Sequence, residues 1–207
     1  MDTASSRERL NRLLDLASRG PGAAATLLDE LADLLLDWPI DYAQAMRGPF
    51  EALLEKTARE ADAPARARLL TRIAGRPELP LSLCNTFFLD AEAEARMRIL
   101  ERNAALDGDE PACRVDACGL VTAARKTMNG AFVPLFASAL SLPGDLAARI
   151  LADRHALAIA AKGAGLDRAA YSALALLTGA DAASLGVYDE IPERGAAGLM
   201  RFWRANQ

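Results

Sequence analysis

The chain has 207 residues, a net charge of −4 and a pI near 5.2, with 25% charged and 52% hydrophobic residues. That balance excludes a disordered chain and leaves room for one large domain or two small ones with a real core. The acidity argues against a dedicated nucleic-acid binder, whose affinity would come from neutralising phosphates.

Ala and Leu carry the apolar content, aromatic residues make up only 5%, and runs of β-branched residues are nearly absent. Those residues favour helix over strand, so an all-α fold is expected. A first helix is predicted over Ser6 to Ser18, with Leu10, Leu13, Leu14 and Ala17 on one stripe, ended by Gly20-Pro21-Gly22. A second runs from Ala23 to Asp37 with Leu27, Leu28, Leu31, Leu34 and Leu35 inward, closed by Trp38-Pro39. Pro49 is read as the first residue of the next helix, which buries Phe50, Leu53, Leu54, Thr57 and Ala58.

Asp62 is expected to cap a helix with Leu69, Leu70, Ile73 and Ala74 inward, stopped by Gly75 and Pro77. Pro80 then opens a helix with Leu81, Cys84, Phe87 and Phe88 at core spacing, and Asp90 caps another carrying Ile99 and Leu100. Two phrases here match: Asp62 to Arg68 and Asp90 to Arg96 both read Asp-Ala-x-Ala-x-Ala-Arg, 28 residues apart. Such an interval suits two short antiparallel helices with their turns, so the phrase is read as a repeated hairpin.

Asp107-Gly108-Asp109-Glu110-Pro111 is the sharpest break in composition. Beyond it helices are expected at Gly119 to Met128 and Phe132 to Leu140, then one with Leu146, Ile150 and Leu151, and one ending at Lys162 before Gly163-Ala164-Gly165. Asp167 should cap a helix with Tyr171, Leu174, Leu177 and Thr178 on one side. A stretch from Ala182 to Tyr188 precedes a terminal helix opened by Pro192 and Glu193, docked by Leu199, Met200 and Trp203, with Arg201 and Arg204 at its negative end. Gly195 and Gly198 weaken that helix by ~1 kcal/mol each relative to Ala, which implies a close neighbour.

The Asp-to-Arg phrases are similar to the ties between repeats in helical hairpins of the HEAT type, which would make Asp62, Arg68, Asp90 and Arg96 repeat-stabilising residues. Together with Asp153-Arg154-His155-Ala156-Leu157-Ala158, Lys162-Gly163-Ala164-Gly165-Leu166, and Val187-Tyr188-Asp189 through Arg201-Phe202-Trp203-Arg204, they resemble an uncharacterised alphaproteobacterial family with HEAT-like repeats, a domain of unknown function. His155 departs from that pattern, which usually has Gly there. The resemblance implies stacked antiparallel hairpins in an α-α superhelix over residues 1–106, a polar connection at 107–118, and a less regular helical region at 119–207 packed on the repeats. It also implies a bacterial cytoplasmic setting, which the scarcity of lysine fits: only Lys56, Lys126 and Lys162 stand among 24 basic residues.

Catalytic chemistry finds few carriers. His155 is the one histidine and is expected as a surface or capping side chain, not a base. Cys113 and Cys118 are five apart, the wrong spacing for a zinc pair, so with Cys84 they read as reduced thiols. Lys162-Gly163-Ala164-Gly165 lacks the order of a phosphate loop and reads as a helix C-terminus with a left-handed glycine. The acidic pairs Asp29 and Glu30, Asp107 and Asp109, and Asp189 and Glu190 read as solvated. No catalytic residue, cofactor or metal is expected.

Met1 to Arg9 is polar, without the apolar core of a signal peptide, and no apolar run reaches the ~20 residues that cross a bilayer. The feature with functional content is an arginine series. Arg68, Arg72 and Arg76 fall four apart on one helical side, and Arg98 and Arg102 repeat the spacing one unit later, a grid suited to carboxylates or phosphates. The expectation is a non-enzymatic module that binds another cytoplasmic protein, with no membrane contact and an open oligomeric state. The alternative is a nucleic-acid-binding protein related to the alkylpurine DNA glycosylases, some of which use HEAT-like helices.

Overall fold

The computed structural model describes residues 13, 15, 21–37, 44–106, 115–127, 131–181 and 185–206. The fold is all-helical, with no strand among the described residues. It divides into two compact units, residues 1–95 and 96–207, and the division falls inside the helix Ala93–Ala104. The expected first helix at Ser6 to Ser18, and most of the expected connection at 107–118, lie outside the described residues.

In the first unit, α1 (Ala24–Leu36) packs against both α2 (Gln44–Glu60) and α3 (Ala63–Ile73). Leu28, Leu31, Leu54, Leu69, Leu70, Ile73 and Phe88 are its largest fully buried side chains. Asp62 caps α3 as expected, accepting from the Ala65 amide at 2.9 Å. Pro49 does not open α2; it sits inside a helix that starts at Gln44. So near the N-terminus the missing N–H forgoes only one intrahelical bond, and the helix survives it. Leu53, expected inward, is 42% exposed. It lies a third of a turn off the stripe of Leu54, Thr57 and Ala58.

The next segment is broken more finely than the hydrophobic spacing suggests. Pro80 precedes the short helix α4 (Leu81–Thr86), and a 3₁₀ turn follows at Phe88–Asp90. The helix that follows, α5 (Ala93–Ala104), begins three residues after Asp90, so Glu92 precedes it and Asp90 does not hold the capping position.

The second unit contains the rest of α5, α6 (Ala117–Thr127), α7 (Phe132–Leu140), α8 (Gly144–Ala152), α9 (Arg154–Gly163), α10 (Arg168–Leu177), α11 (Val187–Glu190) and α12 (Glu193–Ala205). Its hub is α9, which packs against α8, α10, α11 and α12. Ala156 to Ala161 are all buried, as a helix covered on every side requires. Asp153 and Asp167 cap α9 and α10. Gly165 takes a left-handed φ of +73° after α9, the role expected of it.

The terminal helix lies as close to its neighbours as its glycines imply. A Cβ on Gly163 would stand 2.7 Å from the Ala196 carbonyl carbon, and one on Gly195 would stand 2.8 Å from that of Leu100. Gly198 faces the Asn103 carbonyl. Arg204 stands in the last turn of its helix as expected, and its Nε also donates to the Leu140 carbonyl at 2.9 Å, satisfying the C-terminus of α7. No single helix among the described residues is long and apolar enough to cross a membrane.

Candidate interaction surface

The expected arginine series begins on α3. Arg68 meets Asp29 at 2.9 Å, Arg72 meets Asp33, and Arg76 stands 3.7 Å from Glu78. Both contacts to α1 span 39 residues, so the chain direction of α1 and α3 is the same and the two helices lie parallel, in register. Four-residue spacing on each helix then sets carboxylates and guanidiniums opposite one another. Asp29 holds the Arg68 guanidinium above its usual pKa, through their hydrogen bond and then their attraction. These pairs are half exposed, so the surface is a ladder of alternating charge and not a bare basic grid. Arg98 and Arg102 lie on α5 in the second unit and also have partners.

The repeat-stabilising residues are distributed differently from the expectation. Arg68 ties α3 to α1 at the exposed surface, and Arg66 makes the more buried tie. Its Nε donates to Asp90 at 2.6 Å, a further nitrogen donates to the Ala61 carbonyl, and the guanidinium lies 5.5 Å from the centre of the Phe87 ring. The side chains of Arg66 and Asp90 are only 18% and 8% exposed. In the other unit Arg96, 10% exposed, meets Asp153 at 2.7 Å, and Asp153 in turn accepts from the amides of His155 and Ala156.

Arg66 and Arg96 correspond. The helix starts Ala63 and Ala93 are 30 residues apart, not 28, and at that interval burial matches at Ala61 and Ala91, Ala65 and Ala95, Leu69 and Ile99, Leu70 and Leu100, and Ile73 and Asn103. Each arginine is the fourth residue after the position that precedes its helix. The literal phrase obscures this by two residues, because the 3₁₀ turn places Asp90 earlier than a cap. The shared elements are thus an arginine in the first turn and an aspartate further along the chain that receives it.

A second polar cluster surrounds α9. Tyr188 stacks on Tyr171 with ring centres 5.1 Å apart, its hydroxyl donates to the Leu166 carbonyl at 2.6 Å, and Lys162 donates to its carbonyl at 2.8 Å while lying over its ring. Burial raises both tyrosine pKa values, so neither hydroxyl is poised to ionise near neutrality. Burial opposes ionisation of Asp153, but the Arg96 hydrogen bond and the Ala156 amide outweigh it and hold the pKa below the usual carboxylate value.

His155 is half-buried, not the surface side chain expected of it, and its Nδ1 is enclosed without a hydrogen bond. Cys84 is buried and Cys118 exposed, while Cys113 lies outside the described residues. An open groove of about 500 Å³ is lined by Phe132, Val133, Leu151, Ala152, Leu177 and Thr178, without a charged group. Its walls come from three helices, so no single stretch of sequence announces it. The chain matches no family model, no curated protein and no solved structure.

Proposed function

We propose that the chain is a non-enzymatic scaffold of stacked, HEAT-like helical hairpins that holds another protein in the cytoplasm. The supporting observation is the constant offset of the Asp29–Arg68 and Asp33–Arg72 pairs, which sets α1 and α3 side by side in one direction, as alternate helices of successive hairpins would be. Exposed pairs of this kind add little to stability and exchange readily for the charges of a partner. Their mixed signs favour a protein surface that also alternates in charge. The nucleic-acid reading has less support: Trp203 is 4% exposed and offers no face for base stacking, and the α3 arginines already face carboxylates.

The test is capture from the cell of origin with the wild-type chain and with an Arg68→Glu, Arg72→Glu variant, both changes on α3. The expected outcome is one protein retained by the wild type and lost by the variant, with both melting within a few degrees of each other. Equal capture by the two would exclude the arginine face as the contact.

A further inference from the structure

We propose that His155 is an acid-sensitive latch: protonating its ring loosens the joint between Arg96 and the start of α9 and so opens the 96–207 unit. The ring sits in the first turn of α9, at the positive end of the helix dipole. Its Nδ1 is shut from solvent and makes no hydrogen bond, so a proton added there finds no acceptor in place. The charged groups acting on the ring are Arg96 on α5, Asp153 at the cap of its own helix and Glu190 on α11. Asp153 is already committed to Arg96 and to two amides, at 2.7 Å and twice 3.0 Å. A cation at His155 therefore competes for Asp153 with the side chain that anchors α9. Loosening there reaches far, because α8, α10, α11 and α12 all pack on that helix.

The direction of the effect follows from the proton balance. Burial, and then Arg96, lower the His155 pKa below 6.5 in the folded chain. The unfolded state then binds more protons between that lowered pKa and 6.5. Stability from this group is complete above pH 6.5, falls as the pH drops through that window, and levels off below the folded pKa.

Because His155 is the sole histidine, its imidazole resonances can be followed without assignment in the untagged chain. They are expected to titrate below the pH of a free imidazole. Hydrogen exchange at about pH 5 should be faster in α9 and the helices packed on it for the wild type than for His155→Gln, and the difference should vanish above pH 6.5. A titration at or above the free value would overturn the proposal whatever the variant does. So would equal exchange in the two chains at the acidic pH.

Discussion

Replacing Arg66 with Met is expected to cost about 3–5 kcal/mol. The side chain that remains is the reason. Asp90 is 8% exposed and would lose its guanidinium partner. The Ala61 carbonyl would also lose its donor, and Phe87 its cation. Methionine fills much of the same volume, so the loss reports the ionic and hydrogen-bonding role and not a cavity. Urea denaturation followed by circular dichroism measures it. A midpoint unchanged from the wild type would mean that Asp90 is satisfied without Arg66.

The second large effect is expected at Gly195, where Val should destabilise the second unit by ~2–4 kcal/mol, given the usual cost of overpacking and the poor helix propensity of Val. A Cβ there lies 2.8 Å from a backbone carbonyl carbon of α5, and backbone cannot swing aside as a side-chain tip can. Gly186, with open space around it, is the control, and Gly186→Ala should shift the thermal midpoint little. Equal midpoints for Gly195→Val and the wild type would show that α5 and α12 do not approach so closely.

Much of the fold is written in local sequence. Asp62 and Asp167 announce their helices because a carboxylate before an alanine-rich run has orphan amides to accept from. Phe132–Leu140 and the left-handed Gly165 follow from apolar spacing and glycine placement, and Gly195 and Gly198 declare a close neighbour by being poor helix formers in a helix. Pairing at a distance is what the sequence hides. Arg66 precedes the more regular Arg68, Arg72 and Arg76, yet its partner is 24 residues away, while Arg68 and Arg72 face α1. Alignment at 30 residues, with arginine in the first turn of both helices, was the available signal. The matching phrase at 28 masked it. His155 is half-buried for a related reason: proximity to a helix start suggests exposure, but α9 is packed against four other helices.

The ladder on α1 and α3 and the ties at Arg66 and Arg96 also have different physical weights. The ladder is solvated and adds little stability; the ties are desolvated and, once made, are costly to break on one side only. A fold of short, alanine-rich helices has little aromatic bulk to lock its joints. Buried arginine–aspartate ties supply that definition.

The most direct measurement is a double-mutant cycle on Arg66→Met and Asp90→Leu, with the exposed Arg168 and Asp189 pair as reference. The account predicts a coupling above about 2 kcal/mol for the buried pair, with the double variant more stable than either single one, and within about 1 kcal/mol for the reference. Additive losses at Arg66 and Asp90 would contradict it.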